Sequence, residues 1–306
     1  MSQGLILGAY ALEPPRDALI GREDEWYELL AGINGGAGIE VPYRNGLHPD
    51  GPSRLAELVP DGWKVVITML PSTMAALRDW RDYGLASQHA DGRAAALADL
   101  ARVRDDIRRV NDATGSATVV AVQLHSAPRG GSAASFAESV RALAAEDWSG
   151  AELMVEHCDA WRPDRQVNKG FLPLEDEVTA VSTGADVGHS INWGRSTIEG
   201  RSPELAREHI ARLTASGTIS CVFFSGASAV GGALGEPWSD VHNPLDAVDP
   251  SSLLTTTEIA RTVDAFSGVA PKLIGVKVAD PARAERFSAR IEPLRATVAA
   301  VREALA

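Results

Sequence analysis

Short apolar runs that break off in polar residues recur along this chain, and stretches of helical periodicity lie between them. Residues 4–10 read as a first strand, 39–44 as a second, and 64–70, rich in β-branched side chains that suit a pleated surface, as a third. The alternation then becomes regular. Strands are expected at 118–124 ending in His125, 152–155 ending in Glu156, 186–191 ending in Asn192, 219–224 ending in Ser225, and 273–278. Between them, residues 92–113 place Leu97, Leu100, Val103, Ile107 and Val110 on one helical face with Arg and Asp on the other. Shorter helices are expected at 23–31, 52–58, 74–81, 132–145, 174–182 and 257–266, with one or two more across 281–306. Ser202 followed by Pro203 supplies an N-cap and a first helical position for a helix running to about 216.

Eight strands alternating with helices, without a strong hairpin signal, demand parallel pairing through right-handed crossovers. Eight such units close into a single α/β domain, a (β/α)8 TIM barrel over residues 1–306. The competing layout is a doubly wound open sheet, and Gly8-Ala9-Tyr10 after the first strand lacks the G-x-G-x-x-G expected there. Residues 225–254, rich in Gly, Ser and Pro, are too long for a tight connection and are expected to form a lid loop.

With 45% hydrophobic and 23% charged residues, the composition is that of a soluble protein with a sizeable core. A net charge of -12 argues against nonspecific binding to nucleic acid or to an anionic membrane, leaving a small molecule as the expected partner. The amino-terminal stretch has no basic segment, and its apolar run is too short for a leader or a membrane span. Cys158 and Cys221 have no metal-ligand spacing and cannot build a disulfide framework, which suits a reducing cytoplasm and small core residues. The apolar closing helix leaves a homodimer open.

In a barrel the carboxyl ends of the strands converge on one face, where catalytic groups sit. Here those ends carry Tyr10, Glu40, Arg44, Thr68, His125, Glu156, His157, Asn192, Arg195, Ser225 and Lys277. Lys277 lies inside an apolar run and Glu156 closes another. A buried carboxylate and a buried ammonium are costly unless paired, so these two are expected to neutralise each other and to act as base and acid. The alternative is a purely structural ion pair. Trp161, Trp193 and Trp238 follow strand ends and are expected to wall the site, while Asp240 and His242 in the long loop could close over a ligand. His189 is out of phase with Asn192 and is expected to face the surrounding helices. Trp26, Trp63, Trp80 and Trp148 read as packing, and Arg102, Arg104, Arg108 and Arg109, which alternate with acids, as a solvated helix face.

Residues 83–87 (YGLAS) with 92–97 (GRAAAL), residues 122–126 (VQLHS), and Glu156 together resemble the xylose-isomerase-like TIM barrels. That superfamily comprises sugar isomerases and epimerases and includes the endonuclease IV-type enzymes. The likeness points to an uncharacterised bacterial branch. It implies a carbohydrate substrate and one or more divalent metals held by carboxylates and histidines from several strand ends. The chain departs from that pattern. In residues 187–195 (VGHSINWGR), Asn192 stands where the family has an Asp ligand and Arg195 where it has a His. Ser225 replaces a His or Asp, and Lys277 replaces a Glu. A standard metal centre is therefore not expected; the cofactor is either none or a single divalent ion, for which Glu156, His125 and His242 are the candidates.

Isomerisation, epimerisation and β-elimination all begin by removing a proton beside a carbonyl and stabilising the enolate oxygen. Glu156 is the expected base, with Lys277 and His125 as the stabilising groups. Tyr10, Glu40, Arg44, His157, Asn192, Trp193, Arg195, Ser225, Trp238 and His242 are the expected substrate-binding set. A metal-free lyase or hydratase on a keto-sugar, and a noncatalytic carbohydrate-binding or partner subunit, are the alternatives. DNA repair is disfavoured by the acidic charge and the missing ligands.

Overall fold

The computed structural model describes residues 4–182 and 186–306. Residues 1–3, part of the amino-terminal stretch read above for a leader, lie outside it. All eight expected strands form: β1 Leu5–Leu7, β2 Gly36–Pro42, β3 Lys64–Thr68, β4 Val119–Leu124, β5 Glu152–His157, β6 Gly188–Asn192, β7 Ile219–Phe224 and β8 Leu273–Val276. They close in sequence order into a barrel, with the first strand paired parallel to the last through Ile6↔Gly275 and Leu7↔Val276. The fold is a single (β/α)8 barrel. Its strands are apolar on both faces, as a parallel sheet covered by helices requires: Val65, Val66 and Ile67 in β3 are all fully buried. No helix among the described residues is long and apolar enough to cross a membrane.

The long predicted helix runs from Ala90 to Thr114 and buries Leu100, Val103, Ile107 and Val110. Gly115, in the left-handed region at φ 66°, ends it. Its outer face is solvated and ion-paired, with Arg102 on Asp99, Arg104 on Glu146 and Arg108 on Asp105. Ser202 caps the helix Pro203–Ala215, its hydroxyl accepting from the Glu204 N–H at 3.2 Å. The short helix Arg16–Leu19 and the helix Trp193–Gly200 are absent from the sequence expectation. Residues Trp193–Gly200 turn helical directly at the end of β6, with Asn192 as the N-cap and its Oδ1 accepting from the Arg195 N–H at 3.3 Å. Two glycines and few apolar residues in that stretch hide the helical period. Trp80 is 39% exposed, which corrects its reading as packing, whereas Trp26 and Trp148 are buried.

Packing divides the chain into two compact units. The first comprises Met1–Glu40, Leu58–Lys64 and Ile191–Ala306. Its core includes Leu5, Ile6, Leu7, Phe223, Phe224, Ile274 and Leu294, all fully buried, and each such side chain contributes roughly 1.5–3 kcal/mol. Gly275 in β8 is required there, because a Cβ would lie 2.3 Å from the Phe223 ring. Residues 225–254 are folded back on themselves rather than spread out. Antiparallel bridges join Gly226 to Asn243 and Ser228 to Ser252, and Asn243 Nδ2 donates to Asp249 Oδ2 at 2.8 Å.

The second unit comprises Val41–Glu57 and Val65–Ser190. Here β4 and β5 run in register from Ala121↔Glu152 to Leu124↔Val155, so His125 and Glu156 come next on adjacent strands. Leu70, Ala127, Cys158 and Phe171 form a buried cluster in the same unit. Both cysteines are buried, as expected, and neither forms a disulfide. The segment 83–87 docks on the chain just beyond β4. The Ala86 N–H donates to the Ala127 carbonyl at 2.7 Å, and a Cβ on Gly84 (φ 139°) would strike that same carbonyl.

Candidate functional site

In the first unit, Glu40 from β2 meets Lys277 beyond the end of β8. Lys277 Nζ lies 2.7 Å from Glu40 Oε1, with both side chains fully buried. Gly8, at the end of β1 between those strands, makes the contact sterically feasible: a Cβ there would lie 2.7 Å from Lys277 Cβ and 3.0 Å from Glu40 Oε2. The ammonium also stands 4.9 Å from the centre of the Phe223 ring and 5.4 Å from that of Tyr10, cation–π distances that favour a desolvated cation. The sequence expectation pairs Lys277 with Glu156. The structure gives Lys277 the carboxylate of Glu40, and gives Glu156 the imidazole of His125.

A second buried cation stands in the same unit. Arg195 Nε lies 3.0 Å from Asp240 Oδ2. His242 Nδ1 is 2.9 Å from Ser225 Oγ and 3.5 Å from Asp240 Oδ1. Trp238 and His242 both adopt left-handed backbone, at φ 60° and 59°, which for residues with side chains costs of order 1–3 kcal/mol each and is concentrated at functional loops. The Arg201 guanidinium lies 4.9 Å over the Trp238 ring. Trp193 does not wall a pocket. It is fully buried and its indole N–H donates to Thr262 Oγ1 at 2.9 Å, in the helix Thr256–Asp264, so it serves helix packing.

In the second unit the two strand ends carry two layers of polar contact. His125 Nε2 lies 2.8 Å from Glu156 Oε2, and both side chains are fully buried. Their successors along the strands, Ser126 and His157, project to the other side, since neighbouring residues of a strand alternate. There both meet Glu177 of the helix Leu174–Val181. Ser126 Oγ donates to Glu177 Oε1 at 2.5 Å, and His157 Nδ1 lies 2.6 Å from Glu177 Oε2. Ser126 Oγ also accepts from the Leu172 N–H at 3.2 Å. His157 thus has a place apart from Glu156, against the expectation that both present to one substrate. Glu177 is the residue that sequence reasoning missed. Its signal was its helical phase, since it lies on the same buried face as Leu174 and Val181.

Several other residues have plain structural roles. Asp159 closes the neck of the loop after β5, its Oδ2 accepting from the N–H groups of Asn168 (2.5 Å) and Lys169 (2.9 Å). Trp161 on that loop is 50% exposed. Arg44 is exposed, and His189 is buried in β6. Next to His125, Met69, Tyr83 and Leu100 line a cavity of about 10 Å³, room for one water. Tyr43 and Asp106 meet at 3.4 Å; burial, then the Asp106 charge, pushes the phenol up to about 12.

The donor set His125, Glu156 and Cys158, whose ligand atoms lie within 4.8 Å of one another, is chemically that of a borderline-soft ion such as zinc. The spacing argues otherwise. Two ligands of a tetrahedral zinc at 2.0–2.2 Å lie about 3.4 Å apart, whereas His125 Nε2 and Glu156 Oε2 are 2.8 Å apart, a direct hydrogen bond. As arranged, His125 Nε2 and Glu156 Oε2 do not both fit one tetrahedral ion. His242, the other suggested ligand, belongs to the first unit and bonds there to Ser225.

A family described as a domain of unknown function, DUF4862, matches residues 6–292. An uncharacterised protein of Salmonella typhimurium strain LT2 is 30% identical over 299 residues, covering 95% of this chain and 94% of that one. Among solved structures, a xylose isomerase domain-containing protein of Salmonella typhimurium LT2 superposes with a TM-score of 0.61 at 10% identity, covering 98% of this chain and 97% of that one. A sugar phosphate isomerase/epimerase from Parabacteroides distasonis ATCC 8503 gives a TM-score of 0.58 at 11% identity, covering 98% and 95%. At these identities the likeness establishes the fold alone, a (β/α)8 barrel.

Proposed function

The chain belongs to the family described as the domain of unknown function DUF4862, and from that premise we propose that it is an enzyme of the sugar isomerase or epimerase kind, working by enolisation. The observation that carries this reading is the fully buried 2.8 Å contact of His125 with Glu156 at the carboxyl ends of β4 and β5, where barrels of this architecture place their chemistry. A carboxylate and an imidazole in direct contact can exchange one proton, which is what a reversible C–H to O–H transfer requires. Glu156 takes the proton from the carbon beside the carbonyl. The electron pair of that C–H bond forms the carbon–carbon double bond, and the carbonyl oxygen receives a proton held by His125. Returning the proton to the neighbouring carbon, while the hydroxyl on the first carbon gives its proton to His125 and becomes the new carbonyl, isomerises the sugar; returning it to the opposite face of the same carbon, while the enol hydroxyl gives its proton back to His125, epimerises it. The atoms and electrons balance without an external redox partner. The two solved relatives described above carry xylose isomerase and isomerase/epimerase in their descriptions, which supports the same class.

The test is exchange. Free aldoses and ketoses incubated with the protein in deuterium oxide should lose the proton signal beside the carbonyl of at least one sugar. A protein that exchanges none of them is not an enolising enzyme of this class.

A further inference from the structure

We infer that the substrate is a sugar acid, an aldose or ketose that also carries a carboxylate, and that Arg129 holds this carboxylate; the inference rests on the sugar-enzyme reading above. The groups concerned all lie in the second unit, with the His125–Glu156 pair. Arg129 stands on the loop that continues β4 beyond His125. Trp161, Arg162, Arg165 and Lys169 stand on the loop that continues β5 beyond Glu156. Loops that leave the carboxyl ends of barrel strands carry the groups that hold a substrate.

Charge on these two loops runs against the rest of the chain, whose net charge is -12. Residues 127–132 and 158–173 carry four cations, Arg129, Arg162, Arg165 and Lys169, against two acids, Asp159 and Asp164. Asp159 is buried and given to the Asn168 and Lys169 N–H groups, whereas Arg129, Arg162 and Arg165 are exposed. Asp164 pairs with Arg165 at 2.7 Å. The outer side of the two loops is therefore positive on an acidic protein, a local field that draws in an anion.

One of these cations is held in a fixed seat. A β-bridge joins Ala160 to Phe171, and the Gly170 N–H donates to the Asp159 carbonyl at 3.0 Å, which closes the neck of the loop after β5. Gly170, at φ 70°, leaves the gap that the Arg129 guanidinium occupies: a Cβ there would lie 2.6 Å from Nε and 3.2 Å from Cζ. From that seat Nη2 donates to the Val167 carbonyl at 3.4 Å. A guanidinium has five N–H donors in a flat fork, so this bond leaves an edge able to grip a carboxylate through two parallel hydrogen bonds. Trp161, next to Arg162 in the chain and 50% exposed, offers a flat apolar ring for the C–H face of a sugar.

Position favours a carboxylate over a phosphate. Barrels that seat phosphate do so with the loops after strands seven and eight, whereas these cations follow strands four and five. The seated cation is also an arginine, whose planar fork matches a planar carboxylate.

The experiment is a calorimetric titration of the whole protein with a panel of neutral aldoses and ketoses, the uronate of each and the phosphate ester of each, with deuterium exchange beside the carbonyl followed for every sugar. At least one uronate should exchange and should bind at least about tenfold more tightly than its parent sugar and than the phosphate ester. Arg129→Ala, of unchanged thermal midpoint, should bring the affinity for that uronate down to that for the parent sugar. Arg129→Lys, which keeps the charge but loses the fork, should fall between the two. A neutral sugar or phosphate ester that exchanges and binds as tightly as its uronate would overturn the inference and leave the enolisation reading standing. So would an Arg129→Ala protein that binds the uronate as the wild type does. Exchange of no sugar in the panel would instead remove the enolisation reading, and this inference with it.

Discussion

The first unit's Lys277–Glu40 pair and the second unit's His125–Glu156 pair look alike. Each joins a fully buried carboxylate to a nitrogen base at under 3 Å, at the ends of barrel strands. They differ in what the proton can do. Lysine in its unperturbed form ionises far above neutrality, so with a carboxylate it makes a fixed ion pair. Histidine ionises near neutrality in its unperturbed form, so an imidazole–carboxylate pair is suited to passing a proton. Under the proposed function, similar geometry would serve two purposes, set by one residue type in each pair.

That contrast breaks or sharpens under substitution. Lys277→Met removes the cation 2.7 Å from Glu40 and should destabilise the protein by about 3–5 kcal/mol, read as a fall in the denaturation midpoint. Adding Glu40→Gln should recover most of that loss, because a neutral pair no longer buries an opposed charge. A Lys277→Met protein of unchanged stability would show that the pair holds nothing.

Glu177→Ala tests the layer behind the His125–Glu156 pair. It takes the acceptor from Ser126 Oγ and from His157 Nδ1, which should cost about 1–3 kcal/mol for each donor left unsatisfied. Exchange by the folded fraction should persist, since Glu156 keeps His125. Exchange lost in a stable Glu177→Ala protein would place the chemistry in the outer layer instead.

The smallest effect lies at Tyr43, away from both pairs. Its phenol is raised from near 10 to about 12 by burial and by the Asp106 charge, so the folded state prefers the protonated form. The stability this contributes is fully present below pH 10 and is lost as the pH rises from 10 through 12. Phenolate absorbance should show this step near 12, and Tyr43→Phe should remove it.

The chain's alternation of apolar runs and helical faces was enough to read the barrel and most strand ends, because period and β-branching act locally. Who pairs with whom was not legible. Glu40 and Glu156 both lie towards the ends of largely apolar strands, and the choice of Glu40 for Lys277 depends on the gap at Gly8, a tertiary fact. Glu156 and His157 read as one motif because they are neighbours, yet strand alternation sends them to opposite sides, and that much was available from sequence. Glu177 went unnoticed because an acid in the first turn of a helix ordinarily serves the helix dipole. Trp193 follows a strand end as a pocket residue would, but Asn192 caps a helix there and turns the indole to Thr262.

The most direct measurement is deuterium exchange beside the carbonyl of the responsive sugar, run with wild-type protein and with Glu156→Gln of matched secondary structure and thermal midpoint. Gln keeps the shape of the side chain but cannot take a proton. The account predicts that exchange falls on the order of a hundredfold or more while the fold is retained. Exchange that continues at the wild-type rate in the folded Glu156→Gln protein would contradict it, and would take the His125–Glu156 pair out of the chemistry.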